Sequence, residues 1–379
     1  MKKRILSVLS VAVFLFFVFA CSNGNSFERY ESYIGYQPKT LGSGDLKIHF
    51  LELGNKFTGD CVYINYGDVD IIIDAGSKQD SAATIIKYLK DNDYVKDNII
   101  EYVIATHAHE DHIAGFTTYA FGSQNFERKG ILDTYDIDLI IDFPRTNSAT
   151  ATYNNYRAAR DRAVVKGAIH VDALDCYRNR NGGKRVYDLG EGASLEILYN
   201  YYYENYSSNE NEYSVCIKIS QGDKQYIFTG DLEKNGEDRL VNYYNTNHNG
   251  LGKSVLYKGG HHGSETSSHP LLMGAIKPDY VCVCSCVGTY EYPFNDVNRF
   301  PSQGFIDRVS PYTDAVYITT LIESKAAYDA GNFKSFNGNI IFMVKEGDGD
   351  ISISFSNNNL KLKETTWFED NREMPEAWK

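Results

Sequence analysis

Apolar and polar positions alternate along most of the chain with the period of two that puts successive side chains on opposite faces of a strand. Residues 46–53, LKIHFLEL, form the first such run. CVYINY (61–66) and VDIIID (69–74) follow, joined through Gly67-Asp68 in a tight-turn context. Residues 81–89 switch to helical spacing, with Ile85, Ile86 and Leu89 on one face. EYVIAT (101–106) is then a buried strand running into His107. A second set repeats the theme: ASLEILY (193–199), YSVCIKIS (213–220), KQYIFTG (224–230), a helix near 233–244, SVLYK (254–258) and DYVCVCS (279–285). AVYITT, GNIIFMV and DISISF supply late strands. Strand pairs alternating with helices predict two packed sheets with helices outside. No solenoid period appears and no Pro-rich linker divides residues 46–365, so residues 45–379 read as one domain.

The N-terminus has a different pattern. Met1-Lys2-Lys3-Arg4 is basic, and Ile5 to Ala20 is a 16-residue run without a charge. That is short for a transmembrane helix, which needs about 20 apolar residues, and suits a secretory signal over residues 1–20. Val18-Phe19-Ala20-Cys21 followed by a polar stretch resembles the lipobox of bacterial lipoproteins. By that resemblance Cys21 is lipidated and the protein is held outside the cytoplasm on a bacterial membrane, the alternatives being an ordinary signal peptide with a chance Cys or an uncleaved anchor. The polar, Gly/Ser/Asn-containing stretch that completes residues 21–44 reads as a tether ending at Gly42-Ser43-Gly44.

Composition narrows the function classes. With 379 residues, 42% apolar and 23% charged, the chain is neither low-complexity nor disordered. The formal charge is −12, and cleavage before Cys21, removing three basic residues and no acid, takes it to −15. That charge argues against a protein coating nucleic acid by net charge. One basic island, residues 157–185, carries eight Lys/Arg against three Asp. Arg160 and Arg178 in it are candidate phosphate contacts, the alternative being a solvated, internally balanced face. Seven cysteines make no disulfide scaffold, and Cys282, Cys284 and Cys286 would share one face of a strand.

The chemistry concentrates in Thr106-His107-Ala108-His109-Glu110-Asp111-His112, directly after a buried strand. Where a strand ends, His107 and His109 can converge on one metal ion, while Asp111 and His112 turn towards another. Imidazole with carboxylate suits zinc, and manganese as the oxygen share rises. Asp74 and Asp231 each end a strand before a Gly or turn segment, and His261 and His262 follow SVLYK on the same rim. Asp74 would orient a ligand histidine from behind it. Asp231 can bridge two ions.

Gly59-Asp60, IIIDAG, THAHEDH, NEYSVCIKI, FTGDLE and GGHHGSETSS, in this order across about residues 46–345, resemble the metallo-β-lactamase superfamily of metal-dependent hydrolases. The nearest resemblance is to the extracytoplasmic nuclease-like domain of the DNA-uptake competence protein ComEC and its stand-alone relatives. The resemblance implies an α+β four-layer αββα sandwich and two divalent ions, zinc or manganese. It assigns His107 and His109 to one ion, Asp111, His112 and His261 to the other, and Asp231 as the bridge. Asp111 would orient or deprotonate the nucleophilic water, and His262 and Ser264 would meet the substrate. Two positions depart from the pattern. Tyr199 stands where many members carry a further metal-binding histidine, and in Asn298-Arg299-Phe300-Pro301 a Phe precedes the Pro where competence-type domains often have His.

The expected function is a lipid-anchored phosphodiesterase or nuclease acting on DNA or another phosphodiester, with the membrane as its anchor and no obligate protein partner. Hydrolysis of a carboxylic ester, lactone or β-lactam is a second reading, because the fold does not choose among these chemistries. A non-catalytic metal- or partner-binding surface lipoprotein is the third.

Overall fold

The computed structural model describes residues 35–121, 126–287, 299–322, 324–346 and 349–379. The expected signal segment 1–20, Cys21 and Asn298 lie outside the described residues.

The strands, in chain order, are β1 (Leu46–Phe50), β2 (Val62–Tyr66), β3 (Val69–Ile73), β4 (Ile99–Ile104), β5 (Tyr119–Phe121), β6 (Phe126–Arg128), β7 (Asp136–Asp142), β8 (Ile169–Asp172) and β9 (Val186–Gly190). Then come β10 (Ala193–Ile197), β11 (Ile217–Gln221), β12 (Lys224–Phe228), β13 (Leu256–Lys258), β14 (Tyr280–Val287), β15 (Val316–Leu321), β16 (Lys334–Ser335), β17 (Ile340–Val344) and β18 (Ile351–Phe355). They form two eight-stranded sheets, ordered β18-β17-β1-β2-β3-β4-β7-β8 and β16-β15-β14-β13-β12-β11-β10-β9, with β5 and β6 as a separate hairpin.

Period-two patterning sets the layers. On β12, Tyr226 and Phe228 join the core between the sheets, while Ile227 faces the outer helices. On β14, Cys282 and Cys284 face inward and Val281 and Val283 outward. The cysteines are thus small core side chains, and both are free thiols. Phe342 of β17 reaches across the sandwich to Tyr226 and Tyr280, at centroid distances of 5.9 and 5.6 Å. Helices Ser81–Asp91 and Ala151–Lys166 pack Ile85, Leu89, Tyr156 and Ala159 with the first sheet's core. Helices Lys234–Asn247, Pro270–Ile276 and Gln303–Val309 cover the second. This is the expected αββα sandwich.

Three features depart from the sequence reading. β7 went unassigned, although DIDLIID alternates at its start and is buried throughout its second half. Four of the eight basic residues of the island lie on the helix Ala151–Lys166, which buries only Tyr156, Ala159 and Ala163 and so shows almost no apolar stripe. Residues 35–44, assigned to the tether, are fastened to the domain. Tyr36 N donates to Gly182 O (2.7 Å) and Gly42 N to Leu189 O (2.6 Å), while the Gln37 amide reaches the Tyr102 hydroxyl (3.0 Å).

Parallel pairing positions the functional rim. β3, β4 and β7 run parallel, as do β12, β13 and β14, so the carboxyl ends of each set lie together. A backbone bond joins the two rims, Val215 N donating to Thr106 O (2.9 Å), and within the second rim His261 N donates to Gly230 O (3.2 Å). Loops at such ends are where open α/β sheets hold ligands.

Candidate metal centre

Asp74, immediately after β3, takes a positive φ of 59°. That conformation is uncommon for a residue with a side chain. Here it turns the carboxylate to accept from Thr106 N and Thr106 Oγ1, both at 2.8 Å. The same carboxylate lies 2.8 Å from His112 Nδ1. Asp74 therefore fixes the His112 ring, and its other nitrogen, Nε2, faces Asp231 Oδ2 at 3.0 Å. His107 is fully buried, with Nε2 3.0 Å from His109 Nδ1 and 4.0 Å from Asp231 Oδ2.

The loop after β13 carries two consecutive left-handed residues, His261 (φ 46°) and His262 (φ 54°). Such conformations cost on the order of 1–3 kcal/mol each and persist only where the surroundings enforce them. His262 is the residue turned into the centre: Nε2 lies 3.3 Å from both Asp111 Oδ2 and Asp231 Oδ2. Its Nδ1 faces Cys284 O at 3.0 Å and Asp60 Oδ1 at 3.1 Å. One donor atom from each of Asp60, His112, Asp231 and His262 lies within 4.8 Å of all the others, and all four residues are buried.

The two histidines of the pair are placed differently. His261, expected to be a ligand beside Asp111 and His112, keeps Nε2 3.6 Å from Asp231 Oδ2 but commits Nδ1 to Thr266 Oγ1 at 2.9 Å, and it is outside the four-donor group. His262, expected to meet substrate, is 1% exposed and inside that group. Ser264 is likewise 1% exposed, with its hydroxyl 3.2 Å from both Thr266 N and Thr266 Oγ1. It shapes the turn rather than facing solvent.

The basic island is also spent internally. Arg160 pairs with Asp142 (3.0 Å) and Asp161 (3.1 Å), and Arg178 pairs with Glu204. Arg160 is mostly buried in its pairing, while the Arg178 side chain remains 44% exposed. Tyr199, standing where another metal-binding histidine was expected, packs its ring on Tyr243 (4.3 Å) and Tyr177 (5.1 Å). Its hydroxyl donates to Glu204 at 3.3 Å. Phe300 lies beside the histidine pair, 5.8 Å from the His262 ring and 6.3 Å from that of His261.

Charge in the centre is strongly polarised. Burial works against a positive His112, yet Asp231 and Asp74 push its pKa well above the ordinary range. Burial likewise opposes a charge on His262, and Asp231 and Asp60 overcome it. Burial, with His112 and His109 alongside, holds His107 well below the usual range and neutral. Burial disfavours the Asp231 carboxylate, but His112, His262 and His261 keep it ionised. The cluster thus favours positive charge, whether proton or divalent cation.

The residues fit a metal. Asp231 Oδ1 and His262 Nε2 are buried without a hydrogen-bond partner, which is costly unless a cation takes them. Imidazole and carboxylate are the donors zinc and manganese accept.

Sequence reasoning passed over three groups. Asp60 was noted only as part of a motif. Lys258, a charge closing an apolar strand, is 2% exposed and lies 2.5 Å from Asp60 Oδ2. Arg308, some forty residues from the loop it holds, gave no local signal. It donates to the carbonyls of Ser264 (3.4 Å), Glu265 (2.9 Å), Ser267 (2.9 Å) and Ser268 (3.1 Å).

The model of the metallo-beta-lactamase superfamily matches residues 54–121. Competence protein ComA of Neisseria gonorrhoeae is 34% identical over 103 residues, 27% of this chain and 14% of that protein. Recombination protein 2 of Haemophilus influenzae is 29% identical over 112 residues, 30% of this chain and 12% of that protein. The chain therefore spans a small fraction of the length of either relative. The metallo-beta-lactamase fold protein YhfI from Bacillus subtilis superposes with a TM-score of 0.40 at 11% identity, covering 73% of this chain and 96% of YhfI. The segment matched by the metallo-beta-lactamase superfamily model is the one that supplies Asp60, Asp74 and the residues from His107 to His112.

Proposed function

We propose that the protein is a lipid-anchored, extracytoplasmic, metal-dependent hydrolase of phosphodiesters, with DNA as the polymer to test first. The observation that carries this reading is the pair of buried, unpartnered donors, Asp231 Oδ1 and His262 Nε2, within a ring of imidazoles and carboxylates. Asp111, His112, Asp231 and His262 would hold one divalent ion. His107 and His109 would hold a second, more weakly because Tyr199 adds no donor, with Asp231 between the two. Zinc or manganese bound by these residues would supply an acidified water near neutral pH and positive charge to offset the negative charge developing on an ester.

The chain's own groups prepare the reaction. Asp74 orients His112, and Phe300 lays an apolar wall beside the histidine pair that limits bulk water there. Asp111, whose side chain is 35% exposed, is the cluster carboxylate an incoming substrate meets. With Arg160 and Arg178 engaged, two other arginines support a polyanionic substrate. Exposed Arg239 lies over Tyr201 at 3.9 Å, and exposed Arg145 donates to Tyr203 O at 3.2 Å. Both lie near the rim: Asn200 Nδ2 donates to Ser214 O, and Ser214 Oγ accepts from Asp231 N. The similarity to competence and recombination proteins favours DNA over other phosphodiesters.

The reading is tested by comparing a bis-aryl phosphodiester, a DNA oligonucleotide, a lactone and a β-lactam with added zinc or manganese. Phosphodiester turnover is expected, and Arg239→Ala should raise KM for the oligonucleotide several-fold while leaving the small diester unchanged. Turnover of only the lactone or β-lactam would contradict it. Anchoring is tested by metabolic labelling with a fatty-acid analogue: label should enter the wild type and not Cys21→Ser.

A further inference from the structure

Asp60 belongs by distance to the four-donor group, but its direction sets it apart. It faces His262 through Nδ1 (3.1 Å) and His112 through Nδ1 (3.7 Å). Asp231 faces the same two rings through Nε2, at 3.3 and 3.0 Å. Asp60 is therefore behind both imidazoles and Asp231 in front. An ion sharing Nε2 of both rings with Asp231 has the rings between itself and Asp60.

Asp60 is also claimed from the other side. Lys258 Nζ lies 2.5 Å from Asp60 Oδ2 and donates to Gly259 O at 3.2 Å. Both side chains are almost wholly buried, at 2% and 1% exposure. The Asp60 backbone is fixed too, with N donating to Asp111 O (3.0 Å) and O accepting from Gly76 N (2.7 Å). Burying two charges is expensive, and replacing such a pair with neutral groups is often harmless to stability. Stability alone gives little reason for this pair at this place.

We propose that Lys258 and Asp60 form a buried positioning pair. Lys258 holds the Asp60 carboxylate against His262 Nδ1, which leaves His262 Nε2 as the metal donor, and Asp60 is not itself a ligand. The inference rests on the metal reading above. Loss of such outer partners typically weakens metal binding about 10–100-fold.

The test is zinc titration by chelator competition on the full chain, together with unfolding of the metal-free forms. Variants that remove both charges avoid stranding one in the core. Asp60→Asn with Lys258→Met keeps an acceptor oxygen behind His262, whereas Asp60→Ala with Lys258→Met removes it. Both should bind as many ions as wild type. The Ala double variant should bind at least tenfold more weakly and the Asn double variant should recover most of that loss, while their metal-free stabilities stay close. Loss of one ion from the Asn double variant, or wild-type affinity in the Ala double variant, overturns the proposal. Failure of the wild type to bind zinc would count instead against the metal reading. Nitrogen-15 imidazole shifts of the zinc-loaded wild type give an answer independent of variant folding. His262 should be protonated at Nδ1 and metallated at Nε2, and the reverse overturns the proposal.

Discussion

His261 and His262 are neighbours that both take left-handed backbone conformations, yet they have different surroundings. His262 is buried with Nε2 towards Asp111 and Asp231, and His261 is tied to Thr266 through Nδ1. His262→Ala should weaken metal binding beyond the about 100-fold that marks loss of an outer partner, and His261→Ala should cost much less; competition titration distinguishes them. Away from the centre, His49 is fully buried, 2.8 Å from the Tyr88 hydroxyl, and burial pushes its imidazole down to about 3. The folded state refuses a proton that the unfolded chain accepts below about pH 6.5. Its effect is absent above that pH, and stability falls by up to about 1.4 kcal/mol per pH unit as pH drops towards 3. His49→Phe should flatten this acid limb in denaturant unfolding at pH 5 to 6.5; an unchanged slope would show that His49 does not carry it.

At the scale of elements, the centre depends on how the loop after β13 is held. Arg308 takes four of its carbonyls, and Glu237, fully buried, accepts from Ser268 N (2.6 Å) and His269 N (2.7 Å). Arg308→Met strands these carbonyls and should cost roughly 2–4 kcal/mol, given about 1.5–3 for a hydrogen bond to a charged group and incomplete additivity. Hydrogen exchange at residues 264–268 should rise with it. Much of the scaffold was legible because strands such as β12 and β14 split their side chains cleanly between two cores. The His107–His112 cluster was legible because its donors are adjacent in sequence. What escaped is long-range: which of two adjacent histidines turns inward is decided by the loop's left-handed backbone and by Asp60, some two hundred residues away. The partners of Arg160 and Arg178 escaped for the same reason, since only the fold brings Asp142 and Glu204 near them.

For the whole molecule, two sheets are joined at one rim, and the groups that meet there come from the loop before β2 and from the loops that follow β3, β4, β12 and β13. A metal ion held there links the two halves, so it should stabilise the fold as a ligand does, by about 4 kcal/mol at a thousandfold excess over Kd. Chelation should lower Tm, and the shift should shrink in His262→Ala. No helix among the described residues is long and apolar enough to cross a membrane. The most direct test of the central claim is the metal content of the purified chain, wild type against Asp231→Asn, read with turnover of a bis-aryl phosphodiester before and after chelation. The account predicts bound divalent metal and chelator-sensitive turnover in the wild type, with both reduced in the variant. Undiminished hydrolysis by metal-stripped wild type, or by Asp231→Asn with its full metal content, would contradict it.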